Sequence, residues 1–433
     1  MTEQISRRTF VKTGAAVAAG VAASLASPRA HGANERIRLG IVGTGNRGGQ
    51  LINMTRPNED VEIVALCDVY QTHLDKWKTE LGGNVATYSD FRELLENKDI
   101  DAVMVATPEH WHAIIMIQAC KAGKDVYVEK PLCYTIREGR RMVEVANETK
   151  RVVQVGLQRR SSPLFAGLRE QVQANKFGKI TMMRAYRLTN MFPKGIGKEP
   201  DSDAPPDLNW DLWLGPKPMR PFNPDIAPYK FRWWQEYSSQ LGNWGVHYFD
   251  LLRWITGDES PSSVVALGGR FAIDDDRTIP DTMQAVYEFK AGRLMLFGQY
   301  EASGTPMFPF GESEMRGTEG TLYIDDGGYK VIGEKPGQFQ DAGPRAADEE
   351  IKQPEGDVTK LHIRNFLDCI KSRAVPNCPI EEGHRSTIFS HLGNIALVTK
   401  TKLDWDAEKE TFINNDAANA MLHYEYRSPW ELG

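Results

Sequence analysis

Apolar side chains fall in two different patterns along this chain. Up to about Gly156, short apolar runs alternate with helical segments. Ile37, Leu39, Ile41 and Val42 read as a buried strand, and residues 61–68 as a second one. Residues 101–106 are almost continuously apolar, as a strand covered on both faces requires. Thr107-Pro108 stops that run. Residues 110–122 then read as a helix ending at Gly123, 126–128 as a strand, 135–149 as a helix and 152–155 as a strand. Such alternation predicts an α/β fold with a doubly wound parallel sheet.

After Gly156 the pattern changes. Residues 191–230 are rich in Pro, Asp, Gly and Trp and read as a long ordered loop, and 241–255 as a helix. Strand signals then recur at 264–271, 283–289, 294–300 and 321–324, some separated by turns such as Lys290-Ala291-Gly292, which predicts an antiparallel sheet. Residues 333–356 are polar and irregular, and helices are expected at 358–372 and 382–399. The boundaries that follow are 1–32 for a leader, 33–156 for the first domain and 157–433 for the second.

The first strand runs into Gly43, Gly45 and Gly48 in the order G-x-G-x-x-G, with Asn46 and Arg47 between the last two, and a helix follows. The first glycine allows a tight turn and the second lets the backbone approach a pyrophosphate. The third lets helix and strand pack closely, so that the helix start meets the phosphates. Asp68 ends the second strand 25 residues after Gly43, near the spacing expected for a carboxylate on the adenosine ribose. That charge would repel a 2′-phosphate, so NAD is favoured over NADP.

Length bounds this reading only loosely, since 433 residues suggest two or three domains. Hydrophobic content of 41% and charged content of 25% are those of a soluble globular chain. The net charge is −6, and residues 1–32 contribute +3 against it. Nothing here points to nucleic acid or an anionic membrane as a partner. Ser6-Arg7-Arg8-Thr9-Phe10-Val11-Lys12 precedes an Ala/Gly-rich apolar stretch and resembles a twin-arginine export signal, cleaved near 30–33. Export to the periplasm without stable membrane insertion is expected, because the apolar run is short for a spanning helix. Cys67, Cys120, Cys133, Cys369 and Cys378 form no zinc spacing; Cys369 and Cys378 are near enough in sequence to pair.

Glu129-Lys130-Pro131 stands at the carboxyl end of a predicted strand, where open α/β sheets bind ligands. With the glycine turn and Thr107-Pro108-x-x-x-His112, it resembles the glucose–fructose oxidoreductase and inositol dehydrogenase (Gfo/Idh/MocA) family. The resemblance covers the chain after residue 33. It implies an N-terminal Rossmann domain, a C-terminal α/β domain on a large, mostly antiparallel sheet, NAD as cofactor and hydride chemistry on sugars or polyols. It also implies a lysine near the nicotinamide, matched by Lys130, and association of copies through the antiparallel sheet. Asn243, Gly245, His247 and Asp250 match the family's [DN]-x-G-x-H-x-x-D helix. Helical spacing lets Asn243, His247 and Asp250 share a face. His247 is then a candidate base oriented by Asn243. The inositol dehydrogenase pattern has Asp at that position, and an amide cannot stabilise an imidazolium by charge. Asp250 reads as structural.

His110 and His112 have no third ligand at metal spacing, so capping or lining the cofactor cleft is expected of them. Gln158, Arg159 and Arg160 reach towards the cleft or form surface charge. Trp210, Trp213, Trp233, Trp234, Trp244 and Trp254, with Tyr229, Tyr237 and Arg232, suit either a sugar site or packing. Three functions remain open: an oxidoreductase on a sugar with retained NAD, a glycoside-cleaving enzyme using transient oxidation, and a non-catalytic carbohydrate-binding protein.

Overall fold

The computed structural model describes residues 36–338, 343, 345–354 and 356–433; the twin-arginine stretch and the rest of 1–32 lie outside them. Six parallel strands form the first sheet: β1 (Ile37–Val42), β2 (Val61–Cys67), β3 (Ala86–Tyr88), β4 (Ala102–Val105), β5 (Asp125–Val128) and β6 (Val153–Val155), in the order β3-β2-β1-β4-β5-β6. The order reverses between β1 and β4, which opens a crevice at the strands' carboxyl ends. All four residues of β4 are buried, because helices cover both faces of the sheet.

Ten strands form the second sheet: β7 (Ile180–Leu188), β8 (Ser263–Gly269), β9 (Thr282–Phe289), β10 (Arg293–Tyr300), β11 (Ser313–Gly317), β12 (Gly320–Asp325), β13 (Gly328–Gly333), β14 (Glu349–Lys352), β15 (Leu403–Asp406) and β16 (Thr411–Phe412). Its order is β14-β13-β12-β11-β7-β10-β9-β8-β15-β16, and only β7 and β10 pair in parallel among the described residues. Period-two alternation turns Met183, Ala285, Tyr287, Met295 and Phe297 to one face. That face packs on the helices Val246–Thr256 and Ile380–Thr399, where Phe249 stacks on Phe389.

Several features depart from the sequence expectations, among them the short strands β3, β11, β13, β15 and β16. β7 lies near the middle of the large sheet, yet Arg184 and Arg187 interrupt its apolar alternation on both faces. β14 sits within the stretch read as irregular. The Val358–Ser372 helix packs Ile363, Phe366 and Leu367 against Leu39 and Tyr127 of the first sheet, although it follows the second sheet in sequence. The long loop is ordered by a small core of its own, in which Trp213, Trp234 and Tyr237 are buried. All five cysteines are buried and free, including Cys369 and Cys378.

Candidate active site

The glycine turn holds its shape because little else fits. Gly43 has φ +85°, and a Cβ there would lie 2.7 Å from the Ala106 carbonyl carbon. Gly45 ends the turn, and the Asn46–Thr55 helix starts without a side-chain cap, leaving its first N–H groups for an anion. A Cβ on Gly48 would sit 1.9 Å from the Gly43 carbonyl oxygen. Gly48 thus packs the helix on the strand and does not line the cleft, whereas Gly43, Gly45, Asn46 and Arg47 do. Asp68 holds the turn from the end of β2. Its Oδ2 accepts from the Thr44 N–H at 2.7 Å, and its Oδ1 accepts only the Tyr70 N–H, at 3.0 Å. Oδ1 therefore keeps acceptor capacity for a hydroxyl.

The loop after β4 is tied to the loop after β5 through His112. One ring nitrogen lies 2.9 Å from the Pro131 carbonyl oxygen and the other 2.9 Å from that of Thr107. Burial lowers the imidazole's pKa against both carbonyls, so the neutral ring donates to one of them. Pro108 leads into the Glu109–Lys121 helix, and Thr107, Pro108 and His112 all line the cleft. His110 is buried against the Trp213 carbonyl at 2.9 Å and is kept neutral by burial, with a pKa of about 3.

Glu129 and Lys130 follow β5. Arg47 Nε donates to Glu129 Oε1 at 2.7 Å, joining the glycine turn to this strand end. Burial opposes the charge on Arg47, but Glu129 holds its pKa above the ordinary value. A Cβ on Gly156 would meet Glu129 Oε1 at 2.9 Å, so this glycine makes room for the carboxylate. Lys130 Nζ donates to the Asn243 backbone oxygen at 2.7 Å and to its Oδ1 at 3.2 Å. Burial, with Arg232 and Arg47 adding to it, lowers the lysine to about 8 against Glu129 and Glu109.

Asn243 does not orient His247 as the spacing suggested. Residues Leu241–Gly245 form a π-turn before the α-helix begins, and Asn243 and His247 both line the cleft. Asn243 faces Lys130 instead, and its Nδ2 donates to Gln240 Oε1 at 3.2 Å. His247 lines the same cleft. Asp250 points elsewhere: it is buried, with Arg160 Nε 2.8 Å from Oδ1 and Ser386 Oγ 2.6 Å from the same oxygen. Arg159 ion-pairs with Asp326 at 2.7 Å. Of the aromatic cluster, Trp213, Tyr229 and Trp244 reach the cleft, and the rest pack. Arg232 also lines it, over the Tyr229 ring at 4.3 Å.

Glu109 is the site residue that sequence reading missed. It is buried in the cleft wall, and its place directly after the Thr-Pro turn at a strand's carboxyl end was the available signal. The cleft has a volume of about 490 Å³. A dinucleotide fits it chemically. Thr107 Oγ1 and Gln158 Oε1 are buried in its wall without a partner among the described residues, beside an uncapped helix start and a carboxylate with spare capacity. Among the described residues no three His, Cys, Asp or Glu side chains come together as metal ligands.

Comparison with known proteins agrees with this geometry. The Gfo/Idh/MocA model for an oxidoreductase family with an NAD-binding Rossmann fold matches residues 37–157, and that family's C-terminal α/β domain matches 180–432. A twin-arginine translocation signal matches 4–24. Myo-inositol 2-dehydrogenase of Thermotoga maritima is 26% identical over 67% of this chain and 75% of its own length. A glycosyl hydrolase family 109 protein of Solibacter usitatus is 35% identical over 34% of this chain and 38% of its own. The WlbA dehydrogenase of Bordetella pertussis, solved with NADH and UDP-GlcNAcA, shares the fold with TM-score 0.63 and 20% identity, over 86% of this chain and 99% of its own. Two family models that between them span the glycine turn, the cleft and the large sheet place the chain in the Gfo/Idh/MocA family, as an NAD-dependent oxidoreductase.

Proposed function

We infer that this protein oxidises a ring hydroxyl of a sugar or sugar derivative and retains its NAD through the catalytic cycle. The observation that carries the reading is Lys130 Nζ, fixed 2.7 Å from the Asn243 carbonyl in the cleft that the glycine turn opens into. Bound NAD supplies a hydride acceptor at the substrate carbon. Lys130 manages the proton of the hydroxyl, whose oxygen changes charge as the C–H bond breaks. Asn243 positions that lysine and His247 lines the substrate side. Gly43, Gly45, Asn46, Arg47, Asp68, Thr107, Pro108, His112, Glu129 and Gln158 hold the cofactor directly, with Gly48 shaping the turn beneath.

The signal at residues 4–24 supports export of a folded, loaded protein to the periplasm. Free dinucleotide is scarce outside the cytoplasm, so a retained cofactor must be re-reduced or re-oxidised in place. Exposed Leu267 and Phe271 on and beside the large sheet suit association between copies. A second reading, glycoside cleavage through transient oxidation, is favoured by the 35% identity to the family 109 protein across 166 residues.

Denaturing the purified protein and reading the released dinucleotide by absorbance and mass tests retention; protein without NAD would overturn it. A panel of sugars and glycosides separates the two readings. Keto-sugar formed with reduction of an added carbonyl supports oxidation, and free aglycone without net NADH supports cleavage.

Two variants probe the cofactor half. Asp68→Ser removes the charge that repels a 2′-phosphate, and the NADP-to-NAD affinity ratio should rise about tenfold, ~1.4 kcal/mol. An unchanged ratio in binding titrations would count against the assigned ribose contact. Gly48→Ala drives a methyl into the Gly43 carbonyl, 1.9 Å away. The strain expected is about 1–3 kcal/mol, read as lost NAD content and a lower urea midpoint.

A further inference from the structure

His247 lines the cleft among several cations. Burial first, then Lys130, Arg159, Arg47 and Arg187, hold its pKa well below the ordinary imidazole value. Besides Glu129, its neighbour in sequence, Lys130 feels the charge of a second carboxylate from another element, and both line the main cleft. Glu109 begins its helix at the mouth of the loop after β4 and is 7% exposed. The Ser238 hydroxyl donates to its Oε1. Glu109 Oε2 lies 3.4 Å from where a Cβ on Gly242 would be, so the carboxylate sits against the turn that carries Asn243.

A second cavity of about 300 Å³ lies behind this carboxylate, lined by Ser238, Ser239, Asn394, His391 and His423 among others. Among the described residues Glu109 alone lines both this cavity and the main cleft. The reaction derived above makes no use of the second cavity.

We propose that Glu109 is the proton relay of this site, exchanging a proton between Lys130 Nζ in the cleft and solvent in the second cavity beside Ser238. The proposal rests on the oxidoreductase reading for its hydride acceptor. The substrate O–H proton passes to the neutral Lys130 amine while the hydride, with its electron pair, leaves the carbon for bound NAD. The resulting ammonium gives a proton to the Glu109 carboxylate, which becomes a carboxylic acid, and the amine is restored. The acid then releases its proton to water in the second cavity, and the reverse sequence serves reduction. Lys130 after β5, Arg232 from the aromatic loop and Lys217 face Glu109 as cations, and Tyr134 and Cys133 also feel its charge. His391 and His423 stand across the second cavity. Burial raises Glu109 to about 7, against Ser238 and these cations, which suits a group that must both take and give a proton.

Glu109→Gln keeps shape and hydrogen-bonding capacity but cannot carry the proton. Infrared difference spectra of the NAD-loaded protein, stepped across neutral pH, should show a protonated-carboxyl band that titrates near 7 in the parent and is missing in Glu109→Gln. Buried Glu138 and Glu301 contribute equally to both proteins and cancel. In turnover, Glu109→Gln should lose about 10²-fold, with the pH profile flattened. Glu109→Asp should keep part of the rate, and added formate should restore part of it to Glu109→Ala. A merely structural glutamate would show neither the flattened profile nor the formate rescue. A parent-minus-Glu109→Gln spectrum with no titrating carboxyl band overturns the relay, as does a parent-like rate and pH profile. If the parent turns over no sugar, the oxidoreductase reading fails by itself, and the infrared comparison still decides the relay.

Discussion

Replacing Lys130 by Met should lower sugar turnover by about 10²–10⁴-fold, the range expected when a proton carrier is removed, while the protein still carries NAD. Met preserves chain length and apolar volume but has no proton to give. The oxygens of Asn243 at 2.7 and 3.2 Å lose their donor, a cost of about 1–3 kcal/mol if they stay buried and unpaired. Single-turnover reduction of the retained NAD, with NAD content measured on the same sample, separates chemistry from cofactor loss. A parent-like rate in Lys130→Met would end the proposed mechanism. The pH dependence has a definite sign. With Lys130 lowered to about 8, the neutral amine that accepts a proton is present above that pH. Oxidation should therefore speed up as pH rises through about 8, and the reductive direction should slow.

The second large effect is on stability. Asp250→Ala should cost about 3–5 kcal/mol, the range for breaking a buried ion pair by removing one partner. Arg160 and Asp250 are 3% and 2% exposed, and both carboxylate oxygens lie within 3.0 Å of Arg160 Nε. Without Asp250, Arg160 keeps only Glu382, at 3.0 Å, which also serves Arg253 at 2.8 Å. Ser386 loses its acceptor too. Urea unfolding should show the loss, and the NAD content of the folded fraction should not change. A loss below about 1 kcal/mol, as for an exposed pair, would mean that Arg160 finds other compensation.

Asp250 also shows where helical spacing misleads. Asn243, His247 and Asp250 were expected on one helix face, yet Lys130 takes the first, the cleft the second and Arg160 the third. Asn243 sits in the π-turn at Leu241–Gly245, whereas His247 and Asp250 belong to the α-helix after it, where buried Arg160 holds Asp250 away from the cleft. Glu129 was legible by its strand-end position, but its pairing with Arg47 across 82 residues was not.

The sequence by itself determined the glycine turn, Asp68, the strand–helix alternation and the Lys130 strand end. Each depends on neighbours within a few residues, where backbone sterics and hydrophobic period act directly. Only the tertiary structure decided that β7 runs parallel to β10, that the 358–372 helix covers the first sheet, and that Glu109 lines two cavities. Those outcomes depend on which distant surfaces exclude water together, and burial of that kind is shared among segments far apart in the chain.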